Sequence, residues 1–483
     1  MCESGENKTM RAGKGQSVNV HSPRAMAGVI MGLAWPTMLE QVMQTAVQYI
    51  DTAMVGSLGT QATAAVGATS TIGWLVFSTI SAFGVGFLAV IARACGAKDK
   101  QAARHAVSQA VLVVLTVGLL FTILPLALHR HVPVWMQVDE HIRDLAANYF
   151  FILYTPTLFR AASTIFGTAL RAAGDTRTPM KVGVIVNLIN VVLNFLLIYP
   201  TRVMTLGAWQ FTMPGAGWGV IGAAIASAVA FAWGGVHITA ALWRHPLLSP
   251  KGMRLRPDKA ILWPCMKITI PNILQRFGTS LGYVAFAAMI NSLGEASTAA
   301  HTIANTVESA FYIPGYGMQT AAATLTGNAY GARDKQQMKS LTAMFIPIEI
   351  VLMIFSGGAL FALAPMLMGL FSKSAEVIEL GATVLRMVAV SEPLYGFSII
   401  VEGMLLGVGR TKTPLVYNVA GMWCVRIVGT FICTQLLHLG LVAAWACMIA
   451  HNMLLFVLYL ITYLRGTWNP LNEAEKGKVL LKR

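Results

Sequence analysis

Apolar stretches of about twenty residues follow one another along most of this chain, broken by short segments rich in Gly, Pro, Arg and Lys. About twenty helical residues, rising 1.5 Å each, cross a hydrocarbon layer of about 30 Å, so each stretch predicts a spanning helix. The first runs over 27–50, and the second leads from the GSLGTQA turn to a basic connection at 93–104. Four more follow near 106–127, 144–169, 182–200 and 218–241. After a Pro- and Arg-rich segment at 242–260 come six others, near 261–290, 298–326, 341–370, 379–406, 414–437 and 440–464. The pattern predicts an all-α membrane protein of 12 transmembrane helices.

The two sets of six are copies. MVGSLGTQATAA at 54–65 returns as MINSLGEASTAA at 289–300, CGAKDK at 95–100 as YGARDK at 330–335, and AAGDTRTP at 172–179 as GVGRTKTP at 407–414. Pro36 and Pro271, Gly59 and Gly294, Gly96 and Gly331, Gly174 and Gly409 are all separated by one and the same interval. Chance likeness between alanine-rich stretches does not keep one offset in four places, so the chain is a tandem duplication. The divisions expected are a disordered tail (1–26), a six-helix bundle (27–241), a linker (242–260), a second six-helix bundle (261–464) and a basic tail (465–483). Six crossings are an even number, so the second copy enters the membrane as the first does, an arrangement suited to alternating access.

Composition agrees with the pattern: 56% of residues are hydrophobic, 11% are charged, and the mean hydropathy is +0.63. The net charge of +15 suggests nucleic acid until its distribution is read. The two tails and alternate connections hold 26 of the 35 Lys and Arg, which is the positive-inside pattern with both termini cytoplasmic. That distribution accounts for the charge without nucleic acid. Six scattered cysteines with no C-x-x-C pair indicate neither a disulfide framework nor a zinc site. The polar first 26 residues do not resemble a signal peptide. No phosphate-binding loop is present, which excludes a nucleotide-driven pump within this one chain.

Acids at membrane depth are costly and point to function. Glu40, Asp51, Glu308, Glu349, Glu392 and Glu402 fall in the predicted spans. Glu40, Gln44 and Asp51 share one helical face, because eleven residues make three turns with little drift. Asn187, Asn190 and Asn194 likewise share a face of the fifth helix. In the second copy, Gln275, Thr279 and Tyr283 line one helix, and His301, Asn305, Glu308 and Tyr312 the next. The counterpart of Asp51 is Phe286. Arg276, Arg386 and Arg426 are expected to pair with the second-copy glutamates, and Glu40 to serve backbone carbonyls freed by Pro36.

The repeated DTAMVGSLGTQATAAVG and GNAYGARDK elements, with LRAAGDTRTPM after the fourth helix and NLINVVLN in the fifth, resemble the multidrug and toxic compound extrusion (MATE) family over about residues 27–464. The resemblance implies a multi-pass, monomeric antiporter of the cytoplasmic (inner) membrane. It would sit among lipids and export amphipathic, often cationic small molecules against an inward Na⁺ or H⁺ flow, with no cofactor beyond that ion and no enzymatic activity. It makes Asp51 the ion-coupling acid, with Asn190, Asn194 and Ser227 around it. A Na⁺ held by Asp51, Asn190 and Asn194 and a proton carried by Asp51 are both open. Where family members often carry a further acid, this chain has Asn194. Glu40, Gln44, Asn187, Gln275, Thr279, His301, Asn305 and Glu308 become the expected substrate-cavity residues. Thr279 stands where some members have an acid, which places coupling in the first copy. Two other readings stand beside this one: a lipid-linked saccharide flippase of the same architecture, and, more remotely, a membrane-embedded enzyme.

Overall fold

The computed structural model describes residues 9–12, 16–19, 23–206 and 209–472. Thirteen helices carry nearly all of it: α1 (Pro23–Gly56), α2 (Thr60–Gly96), α3 (Lys100–Leu128), α4 (Glu140–Tyr154), α5 (Thr157–Ala172), α6 (Arg177–Leu197), α7 (Gly219–Arg244), α8 (Lys259–Asn291), α9 (Glu295–Gly331), α10 (Lys335–Phe371), α11 (Ala375–Gly407), α12 (Lys412–Leu436) and α13 (Leu441–Leu464). Among the described residues nine are long and apolar enough to cross a membrane: α2, α3, α6, α7, α8, α10, α11, α12 and α13. The others are α1 and α9, which carry the polar stripes, and the pair α4 and α5. That pair replaces the single fourth helix expected, because Pro156 cannot donate a backbone hydrogen bond and caps α5 instead. Large apolar side chains stand outward on these rods, such as Ile123, Phe355 and Val390, the surface of a protein solvated by hydrocarbon.

The duplication is visible in the backbone. Gly59 and Gly294 have φ of 109° and 104°, Gly174 and Gly409 87° and 78°, and Lys98 and Arg333 57° and 55°. Each pair keeps the repeat interval, so both copies turn at the same places through the left-handed region.

Two hairpins lie outside the rods. Within the first 26 residues the described segments are β1 (Thr9–Ala12) and β2 (Gln16–Asn19), paired antiparallel, and α1 begins at Pro23 rather than near Ala27. The loop after α6, expected to be external, is a second hairpin, β3 (Pro200–Leu206) with β4 (Trp209–Ala216). The basic tail beyond Asn472 lies outside the described residues.

The chain forms two compact units, residues 1–41, 88–99 and 266–483 in one, and 42–87 and 100–265 in the other. In the first unit, the start of α1 and the end of α2 pack on α9. A Cβ added at Gly96 would stand 1.9 Å from the Asn328 carbonyl oxygen, and one at Gly331 1.9 Å from that of Arg93. Arg93 and Asn328 are themselves repeat counterparts, so α2 and α9 cross through a matched pair of glycines. Gly403 and Gly407, spaced for close packing, lay α11 against the α9 backbone at Gln319 and Ala323. Thr37, beside the Pro36 kink, donates to Ala34 O at 2.8 Å, and its oxygen also stands 2.9 Å from Gly317 O. Thr37 therefore serves carbonyls beside the proline.

In the second unit the segment after α7 is strapped to α3. Gln109 is fully buried, donates to Arg256 O at 2.9 Å and accepts from Asp258 N at 2.9 Å. Arg104 donates to Ser249 O at 2.7 Å, and His105 pairs with Asp258 at 3.5 Å.

Candidate ion-coupling and substrate sites

Helices α1, α6 and α7 bring Asp51, Asn190, Asn194 and Ser227 together in the second unit. The spacing of the asparagines places both amides on the inward face of α6, where Asn190 and Asn194 are buried. Asn194 Nδ2 donates to Asp51 Oδ1 at 2.5 Å and to Asn190 Oδ1 at 3.2 Å, while Asn190 Nδ2 donates to Ser227 Oγ at 3.0 Å. Turned over, the Asn190 amide donates to Asp51 Oδ1 at 2.8 Å and Oδ2 at 3.2 Å, and its oxygen accepts from Ser227 Oγ at 3.0 Å.

The turned-over orientation satisfies both atoms of the Asn190 amide against an ionised Asp51. An ionised carboxylate only accepts hydrogen bonds, so it calls the Asn190 nitrogen toward it. In the first orientation Asn190 Oδ1 faces the Asp51 carboxyl at 2.8 Å and 3.2 Å, and in the second it faces Ser227. Asn194 turns its nitrogen to the acid, and Asn194 Oδ1 has no hydrogen-bond partner among the described groups. Asn187, also buried on α6, is not bonded into this set, and its Nδ2 is likewise unpartnered. Gln44 is exposed on α1 and Glu40 is buried in the first unit.

The sequence reading misses two neighbours. Tyr149 of α4 lies within electrostatic reach of Asp51, and Arg160 of α5, within reach of Tyr149 rather than of the acid, stacks over Phe77 and Phe231, 5.0 Å and 4.7 Å from their ring centres. Both sit in the stretch whose apolar run reads as one continuous helix, and no spacing rule connects them to α1.

In the first unit the expected residues are dispersed. Gln275 donates to Glu402 Oε1 at 2.7 Å, so Glu402 belongs with it. Thr279 spends its hydroxyl on its own helix, at Gln275 O and Arg276 O. His301 packs edge-on against Phe286 and Trp445, Asn305 is exposed, and Glu308 is buried. Two of the arginines lie within electrostatic reach of glutamates expected to pair with them, Arg276 with Glu402 and Arg426 with Glu308, while their close contacts are to an amide and to rings. Arg276 bonds Asn272 Oδ1 at 2.9 Å, Arg386 lies over Phe361, and Arg426 stacks 4.1 Å above Phe286 and 4.9 Å above Tyr283. Guanidinium groups are weakly hydrated and take aromatic faces readily, a choice that charge counting along a sequence misses. Phe286 is the duplicate of Asp51. Where one copy holds an acid between amides, the other holds a cation on a ring, in an α12 that widens into π turns at Gly421–Ile427 and Ile432–Leu436. A set of tyrosines, Tyr312, Tyr316 and Tyr395, lies nearby on α9 and α11, with the hydroxyls of the last two 3.1 Å apart.

The "Probable multidrug resistance protein NorM" of Thermotoga maritima is similar to this chain, 25% identical over 454 residues that cover 94% of each. The "Probable multidrug resistance protein YoeA" of Bacillus subtilis is 24% identical over 85% of this chain and 87% of its own. Among solved structures, an outward-facing multidrug resistance MATE transporter of the MOP superfamily superposes with TM-score 0.86 at 23% identity, covering 96% of this chain and 100% of that one. A MATE in complex with MaL6 superposes with TM-score 0.85 at 22% identity over 93% of this chain and 97% of its own. The MatE family model matches residues 36–196 and 271–432, one stretch in each copy and together more than half of the sequence, and the chain therefore belongs to the MATE family of transporters.

Proposed function

We propose that this protein is a secondary active multidrug exporter, moving amphipathic, often cationic compounds out of the cell against an inward flow of protons, with Asp51 as the proton carrier. The carrying observation is the Asp51–Asn190–Asn194–Ser227 set, in which both amides bind the carboxylate through nitrogen. A hard cation takes about six oxygen ligands, and with Asn190 turned over the amide oxygens of this set face Ser227 or turn away from the acid. The multidrug resistance proteins of Thermotoga maritima and Bacillus subtilis support export as the direction and drug-like compounds as the cargo.

An exporter of this kind needs its coupling ion to bind two conformations unequally, because a ligand shifts an equilibrium only by its differential affinity. A half-buried carboxylate held by two amides of another helix meets that need: moving α6 away from α1 strips its donors and raises the cost of the ionised form. The same reading has twelve membrane crossings, counting α4 with α5 as one, in an inner membrane, with both tails and the 242–260 strap cytoplasmic. Dye uptake into everted vesicles tests the coupling: a pH gradient should drive it and a Na⁺ gradient alone should not, and the reverse would overturn the proton assignment. An impermeant thiol reagent should fail to label a cysteine placed at position 254 of intact cells; labelling from outside would overturn the topology.

A further inference from the structure

Glu349 of α10 is completely buried, and neither of its carboxyl oxygens has a hydrogen-bond partner among the described groups. Its carboxyl lies in a slot between two glycines. A Cβ added at Gly315 of α9 would stand 2.6 Å from Glu349 Oε1, and one at Gly396 of α11 3.5 Å from the same oxygen. The rest of the slot is apolar: Met353 and Ile399 close it around Gly315.

The three helices that form the slot all carry a proline at this level. Pro314 precedes Gly315, Pro347 lies two residues before Glu349, and Pro393 three before Gly396. An internal proline removes one helical hydrogen bond and is where a helix bends. The charged groups within electrostatic reach are also acids: Glu392 of α11 interacts with both Glu349 and Glu308 of α9, and Arg426 faces Glu308. Among the described residues no cation acts on Glu349. A hard metal ion would need several oxygens and meets one carboxyl among methyl and thioether groups. An ionised carboxylate without a partner is the costliest occupant of such a place, and a proton removes the charge.

We propose that Glu349 is a second proton site, in the second copy of the repeat: it holds a proton while α9, α10 and α11 are packed as here, and releases it to water when they part at Pro314, Pro347 and Pro393. Its part in transport rests on the proton-coupled reading above; its occupancy does not. The glycines are then the reason the slot exists, since any side chain at either position would fill it.

The test is infrared spectroscopy of the purified full-length protein in lipid, following the C=O band of a protonated carboxyl as water is replaced by D₂O. Glu349→Gln should lose that band, and Glu349→Asp should keep it at a shifted position, which guards against a glutamine variant that fails to fold. The band should deuterate slowly at rest and several-fold faster when a transported dye is supplied with a pH gradient. A wild-type spectrum identical to that of Glu349→Gln would overturn the site, and a deuteration rate indifferent to dye would overturn its part in transport. Should a Na⁺ gradient prove to drive wild-type uptake, the reading of Asp51 fails, whereas the loss of the band in Glu349→Gln still reports on Glu349.

Discussion

Replacing Gly96 by alanine tests whether the crossing of α2 and α9 is a gate. The added Cβ meets the Asn328 carbonyl oxygen at 1.9 Å, far inside the 3.4 Å at which ordinary contact begins, so the helices must move apart to admit it. The obstruction is backbone, which cannot swing aside as a side chain does. Overpacking of this kind costs about 1–3 kcal/mol. If the two helices part during the transport cycle, that cost falls on the closed crossing alone and shifts the balance toward the open form by about 5- to 150-fold. Gly331→Ala should do the same, since its Cβ meets Arg93 O at the same distance. The double variant should cost less than the sum, because one separation relieves both contacts. Cys95, next to Gly96 and partly buried, is the native reporter. With the other cysteines replaced by serine, its maleimide labelling should quicken by at least about fivefold in Gly96→Ala, alongside slower dye export. Gly358→Ala, on α10 with open space around it, is the control and should leave both unchanged. Wild-type labelling and export in Gly96→Ala would refute the reasoning.

Three further outcomes follow from the contacts. Gln109→Leu leaves the Arg256 carbonyl and the Asp258 N–H without their buried partner, at about 1–3 kcal/mol each, so trypsin should cut at exposed Arg254 and Arg256 at least about tenfold faster. His245, beyond the end of α7, accepts from the N–H groups of Leu247 and Leu248 through Nδ1, and burial holds its ring below the ordinary value of 6.5, partly offset by Asp175. Its contribution is therefore complete above pH 6.5 and declines as pH falls through that value toward the lowered one. Amide protection factors at 245–249, taken relative to the intrinsic rate at each pH, should fall on acidification, and less so in His245→Asn. Cys433 and Cys447 bring their sulfurs to 3.8 Å, so a disulfide-exchange reagent should join them and protect both from alkylation, whereas Cys433→Ser leaves Cys447 reactive.

The parts of this structure that a sequence displays are those with local causes. Apolar runs place the rods, and the paired glycines place turns whose positive φ angles recur at the same interval in both copies. The i, i+4 spacing of Asn190 and Asn194 puts two amides on one face, and a membrane-depth Asp51 needs donors, so their meeting is legible. Which amide atom faces the acid is not, because it depends on a network across three helices. Pro156 signals a break, but the apolar run continues across it and reads as one helix. The first-unit residues share a helical face on α9, yet Asn305 is exposed and Glu308 buried, since exposure also depends on what packs at each level. The pairing of Arg426 with Phe286, the isolation of Glu349 and the strapping of 249–258 to α3 all come from chain segments far apart in sequence. Neither period nor composition specifies such contacts.

The central claim is that Asp51 carries the coupling proton, and Asp51→Asn tests it most directly. Asparagine keeps the volume and the contacts of α1 with α6 but cannot titrate. In everted vesicles under an imposed pH gradient the variant should lose active dye uptake while remaining folded and in the membrane at wild-type levels. It should still exchange dye down a dye gradient, which needs substrate binding but no net proton movement. Uptake at the wild-type rate under that pH gradient would contradict the account and remove Asp51 from the coupling mechanism.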